Sequence, residues 1–157
     1  MASKPRDHRI LAVASAGGHF QQLMALRAGY AEAPGARVTY MTTLPGLAGQ
    51  FGAAPQITVP DCNADTKVAA LRAGCIIGWH VLWLRPHVIV TTGALPGLLA
   101  LLWGRLTGAR TLWIDSVANA EDLSASGRMA RRVAHLTLSQ WPDVAASTGT
   151  RYEGSVL

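Results

Sequence analysis

Cysteine is nearly missing: Cys62 and Cys75 are the two in 157 residues, they stand apart, and no CxxC or His lies at metal-ligand spacing from either. A disulfide scaffold and a zinc site are therefore both excluded, and free thiols in a reducing compartment are expected. Charge is sparse as well, at 15% of residues, which removes the long polar tails and charged heptads of disordered chains and coiled coils. Aromatics make up 6%, and no basic run is interleaved with stacking residues, so a nucleic-acid partner is not expected. Two nucleotide signatures are also missing. There is no G-x-G-x-x-G, and no Lys-Ser/Thr pair follows a glycine loop, which disfavours dinucleotide and P-loop chemistry and implies no bound cofactor.

What is present is apolar and mildly basic. Half the residues are hydrophobic, and 14 Lys/Arg against 9 Asp/Glu leave a formal charge of +5, a balance suited to phosphates or an acidic membrane surface. The length predicts one domain over 1–157, with a polar tail over 1–8. Basic residues cluster at Lys4, Arg6 and Arg9 and, with helical spacing, at Arg128, Arg131 and Arg132.

Two segments imitate membrane signals. Lys4 to Arg9 followed by Ile10 to Ala16 has the layout of a signal peptide, but its apolar run is at the short limit and reads better as a first strand. Pro86 to Gly104 lacks formal charge over the length of a spanning helix. Thr91-Thr92-Gly93 and Pro96-Gly97 interrupt it between a β-branched piece and a Leu/Ala-rich piece, which predicts strand, loop, helix.

The same rhythm runs through the chain. Strands are predicted at 9–14, 37–42, 56–59, 87–92, 110–114 and 134–139, with a short last one within 151–156. Helices are predicted at 19–32, 66–84, 95–107 and 126–133, and 44–52 is a short helical or irregular crossover. Repeated β-α alternation with apolar strands implies an α/β fold: a Rossmann-like, doubly wound, mostly parallel sheet. Ligands of such sheets bind beyond the carboxyl ends of the strands, so the strand-to-helix loops carry the candidate chemistry.

Three of these loops stand out. Ser15-Ala16-Gly17-Gly18-His19 opens a helix, where glycines let backbone N–H groups approach a phosphate. His19 there is suited to orient a phosphate or to take a proton from a hydroxyl; a tight turn with a histidine in the capping region fits the residues equally well. The binding or orienting role is slightly preferred, because a neutral ring can still donate one hydrogen bond. Thr91-Thr92-Gly93-Ala94-Leu95-Pro96-Gly97 repeats the strand-glycine-helix pattern, with Pro96 in the first helical turn. Asp115-Ser116-Val117-Ala118-Asn119-Ala120-Glu121 adds carboxylates and hydroxyls. Ser15, Gly17, Gly18, Thr92, Gly93, Asp115 and Ser116 are the candidate binding residues and His19 the candidate catalytic one.

These residues, in this order, resemble a family. Ala14 to His19 with Gln22-Leu23, then Thr91 to Gly97, Ile114-Asp115-Ser116 with Leu123 to Arg128, Gln140-Trp141-Pro142 and Gly154 to Leu157 together are similar to the acceptor-side subunit of two-part glycosyltransferases. That family includes bacterial exopolysaccharide glycosyltransferase subunits and the eukaryotic subunit that helps add the second N-acetylglucosamine to dolichol-linked oligosaccharide. The resemblance implies one half of a GT-B fold, similar to the N-terminal half of the MurG type. It implies a lipid-diphosphate acceptor held by this chain and a nucleotide-sugar donor held by a partner similar to the C-terminal half; from the residues themselves, no metal site is expected. Gly17, Gly18 and His19 would then face the acceptor diphosphate or the cleft between the halves. In one departure, Asp115 stands where bacterial relatives carry Glu, the same charge on a shorter arm.

The eukaryotic member carries an N-terminal membrane helix, whereas this sequence starts polar and enters its first strand at once, so peripheral attachment at the inner face of the cell membrane is the expectation. Trp79, Trp83 and Arg85, in the apolar stretch from Cys75 to Arg85, are the candidate membrane contacts; a core helix of the fold is the competing reading. One half of a two-half enzyme is expected to be inactive alone. Two other classes stay open: a self-contained small α/β enzyme or nucleotide-binding module using His19 with Asp115, and a non-catalytic scaffold that anchors a catalytic partner.

Overall fold

The computed structural model describes residues 7–62 and 66–156. Lys4, Arg6, most of the predicted tail and Leu157 lie outside these residues. Of that tail, His8 opens the first strand and Asp7 is ion-paired to Arg37 at 2.9 Å.

Seven strands form one sheet: β1 (His8–Val13), β2 (Ala36–Thr42), β3 (Gln56–Thr58), β4 (Val88–Thr91), β5 (Arg110–Ile114), β6 (Leu136–Ser139) and β7 (Arg151–Tyr152). Their order is β3-β2-β1-β4-β5-β6-β7, and all six pairings are parallel. The expected doubly wound sheet is therefore present, and it is wholly parallel. The strand order reverses between β1 and β4, which creates a crevice beyond their carboxyl ends.

Strand alternation divides the core between two faces. Leu11 and Val13 of β1 pack with Met41, Ile89 and Trp113 under α4 (Lys67–Leu84), α5 (Ala94–Thr107) and α6 (Ala125–Val133). Ile10, Ala12 and Ala14 face the other way, with Phe20, Leu23 and Tyr40, under α1 (Gly18–Ala25), α2 (Arg27–Ala31) and α3 (Leu47–Gln50). Close approach on the first face depends on small residues: a Cβ at Gly97 would come 2.0 Å from Thr91 Oγ1, and one at Gly78 would come 2.2 Å from the Trp103 ring. Trp103 Nε1 donates to the Gly74 carbonyl at 2.9 Å, which locks α4 to α5.

Two elements differ from the sequence expectation. The single helix predicted over 19–32 is broken at Leu26, where the Tyr30 hydroxyl donates to the Leu23 carbonyl at 3.0 Å, an oxygen that a continuous helix would offer to the Arg27 N–H. A further short helix, α7 (Pro142–Thr148), follows β6, with Pro142 in its first turn and Gly149 in the left-handed conformation at its end.

Candidate functional site

The loops after β1 and β4 meet at the strand-order switch and are joined reciprocally. Thr92 Oγ1 donates to the His19 carbonyl at 2.6 Å, and His19 Nδ1 lies 3.0 Å from the Thr92 carbonyl. A carbonyl only accepts, so Nδ1 carries the proton and Nε2 of the neutral ring is left with the lone pair. In that tautomer the ring N–H is engaged by Thr92, and Nε2 is the nitrogen left to accept a proton or hydrogen bond from a ligand.

Glycine is required at two points of this junction. Gly93 has φ +133° and ψ −169°, and a Cβ there would lie 2.7 Å from the His19 ring. Gly17 caps α1 with φ +86°, and both Gly17 and Gly18 are exposed with no atom within 4 Å of where a Cβ would stand. The first turn of α1 thus opens outwards with its N–H groups free of intrahelical partners, a geometry that favours an anion. Ser15 is half-buried in the same loop, and the Ala16 N–H is held by Thr43 Oγ1 at 3.0 Å.

Ser116 and Asp115 are joined to this junction through Gln22 on α1. Gln22 Nε2 donates to Ser116 Oγ at 2.9 Å, and its Oε1 accepts from the Val117 N–H and from Gln140 Nε2 at 3.1 and 3.0 Å. Gln140 Nε2 also donates to the Asp115 carbonyl, while its Oε1 accepts from the Val156 N–H. Gln22 and Gln140 appear in the sequence only as members of motifs; their separation of 118 positions conceals the contact.

The Asp115 carboxylate does not join the cleft. It is 2% exposed and accepts four hydrogen bonds: from Trp113 Nε1 and Ser124 Oγ at Oδ1, and from Asn119 Nδ2 and the Ser124 N–H at Oδ2. Ser124 Oγ in turn caps α6 by accepting from the Gly127 N–H at 2.8 Å. All these donors hold the carboxylate in the loop, so the acid/base partnership of His19 with Asp115 has no basis in the geometry. Glu121 is exposed in the same loop. Cys62 is also unsuited to nucleophilic work, because burial and then the neighbouring Asp61 push its thiol pKa up.

Trp79, Trp83 and Arg85 lie apart from this junction. They belong to the C-terminal half of α4 and its cap, which lead to the amino ends of the strands. Trp79 is 69% and Trp83 74% exposed, on a helix side shared with Val68, Leu71 and Leu82. Arg85 adopts the left-handed conformation and its carbonyl receives Nε and Nη2 of Arg9 at 3.0 and 2.8 Å. Among the described residues α4 is long and apolar enough to cross a membrane, with 22% of it buried, and there is no group of His, Cys, Asp and Glu able to hold a metal.

No family model matches the chain. Over 66 residues it is 38% identical to the UDP-N-acetylglucosamine transferase subunit ALG14 of Eremothecium gossypii, covering 38% of this chain and 30% of that protein. Its fold is similar to that of MurG from Acinetobacter baumannii, with TM-score 0.72, 16% identity and coverage of 87% of this chain and 43% of the other. A putative UDP-N-acetylglucosamine 2-epimerase from Listeria monocytogenes superposes equally well, with TM-score 0.72, 10% identity and coverage of 91% and 42%. The chain spans less than half the length of each of these relatives. The resemblance read from the motifs is thus borne out: the chain has the Rossmann-like fold of half a MurG-type enzyme and is related in sequence to a subunit of a UDP-N-acetylglucosamine transferase.

Proposed function

We propose that this chain is the acceptor-binding, membrane-docking subunit of a two-chain glycosyltransferase, one that moves a sugar from a nucleotide-sugar to a lipid-diphosphate acceptor in polysaccharide or oligosaccharide synthesis. The observation that carries the reading is the junction at the sheet's switch point, where the open Gly17-Gly18 turn stands beside His19 and the Thr92-Gly93 loop. The acceptor diphosphate lies at the start of α1, and Ser15, Thr92, Gly93 and Ser116 border it. His19 Nε2 takes the proton of the acceptor hydroxyl as that oxygen bonds to the anomeric carbon and the nucleoside diphosphate departs. The donor belongs to a partner chain similar to the other half of the fold, and this chain is inactive without it.

Membrane docking is supported by composition as well as exposure. No Asp or Glu occurs in α4, α5 or α6, which together carry Lys67, Arg72, Arg105, Arg128, Arg131 and Arg132. Exposed Trp79, Leu82, Trp83 and Leu106 stand on the same layer of helices, a combination that suits a peripheral contact with an anionic leaflet at the cytoplasmic side.

The test is Gly18→Val in the chain co-expressed with its partner. Open space at Gly18 lets the fold survive, while a β-branched group blocks close approach of the phosphates, so acceptor KM rises. Unchanged acceptor KM, or robust sugar transfer by the isolated homogeneous chain, contradicts the proposal.

A further inference from the structure

At the amino ends of the central strands, away from the glycine loops, two grooves adjoin. The first, about 440 Å³, lies on the α4 side of β1 and β2, with Leu11, Thr39, Ala54 and Leu84 in its walls and Arg9 and Arg37 among its lining. Its volume is within the range of small-molecule sites, and its surface is mainly apolar. The second, about 680 Å³, shares Arg9 and Pro86 with the first and adds Leu82, Arg85 and His87.

The charge in these grooves has one sign. Among the described residues no carboxylate lines either of them, although Arg37 is balanced by Asp7 at 2.9 Å and counts for less than the others. The Arg9 N–H donates to His87 Nδ1 at 3.2 Å, so the neutral His87 ring carries its proton on Nε2 and offers a donor there. Arg9 uses Nε and Nη2 on the Arg85 carbonyl, which leaves Nη1 in addition to the whole Arg85 guanidinium. Hence the second groove offers N–H donors and a net positive charge beside an apolar trough.

We infer that these joined grooves bind one amphipathic anion: an anionic phosphate headgroup at Arg9, Arg85 and His87, with its acyl chain along Leu11, Thr39 and Leu84. Neither sugar transfer nor the partner chain is needed for this site. It accompanies membrane docking through α4, but differs from it in engaging a single lipid molecule rather than a surface.

The test uses the purified chain and dihexanoyl-phosphatidylglycerol below its micelle concentration, followed by amide NMR shifts. Saturable shifts are expected at Leu11, Thr39 and Leu84 as well as His87. Binding should be at least about tenfold tighter than that of inorganic phosphate, the gain from burying two or more methylenes. Ala54→Glu, at an exposed position on the first groove, should weaken the lipid severalfold and leave phosphate binding less affected. Arg85→Asn keeps a residue that tolerates the left-handed backbone and should weaken both. Equal affinity for phosphate and lipid would reduce the site to a bare anion contact and overturn the proposal. Shifts confined to the exposed α4 residues, or equal binding of dihexanoyl-phosphatidylcholine, would also overturn it. Vesicle binding that persists without monomer binding would retain surface docking and refute the lipid site.

Discussion

The His19 imidazole occupies the space that a side chain at Gly93 would need: a Cβ there would stand 2.7 Å from Cε1 and Nδ1 of the ring. Two loops separated by more than seventy residues are fitted to each other at the point where the strand order reverses. Gly93→Ala therefore both strains a backbone conformation reserved for glycine, at about 1–3 kcal/mol, and displaces the ring. In the assembled complex, sugar transfer should fall about tenfold to a hundredfold while the sheet persists by circular dichroism. Wild-type transfer by this variant would mean that the fit of His19 to Gly93 is incidental.

Asp115 is expected to act on stability. Asn in its place keeps the shape but turns one acceptor into a donor that faces Ser124, Asn119 or Trp113, and the loss should be about 2–4 kcal/mol by urea unfolding. A stability change under about 0.5 kcal/mol, combined with abolished transfer, would return Asp115 to the reaction.

Much of this was legible in the sequence, and the remainder has identifiable causes. The run of apolar strands, the β4 segment inside the uncharged stretch and the helix stop at Gly108 each depend on local pattern, and they fall within a residue or two of the observed boundaries. The break at Leu26 depends on Tyr30 reaching back over a turn, and α7 is too short and polar for periodicity to reveal. In the site, the glycines and His19 announced themselves by type. Their consequences did not, because the tautomer of His19 depends on Thr92, and the saturation of Asp115 depends on donors from β5 and two stretches of loop.

Trp79→Ala and Trp83→Ala remove exposed rings, so stability should change by no more than about 0.5 kcal/mol. Flotation with phosphatidylglycerol vesicles should weaken at least about tenfold in the double variant, and high salt should release the wild type. Undiminished, salt-resistant binding would place the contact elsewhere.

His135 provides a pH test. Desolvation, then Arg105 and Arg110, lower its pKa from the usual 6.5, and its two ring nitrogens face Arg105 and Thr111. The folded chain therefore binds fewer protons at His135 than the unfolded chain does. Stability contributed by the neutral ring is complete above about pH 6.5 and declines as pH falls towards the lowered folded value. NMR titration should place the His135 midpoint below 6.5, and His135→Asn should flatten the acid limb of the stability curve; a midpoint at or above 6.5 would contradict this.

Acceptor titration of His19→Ala in the assembled complex tests the account most directly. With Nδ1 committed to Thr92 and Nε2 as the base, kcat should drop about 10²- to 10⁴-fold while acceptor KM stays near the wild-type value. Unchanged kinetics in an intact complex would reduce the junction of His19 and Thr92 to a structural turn and contradict the assignment of the site.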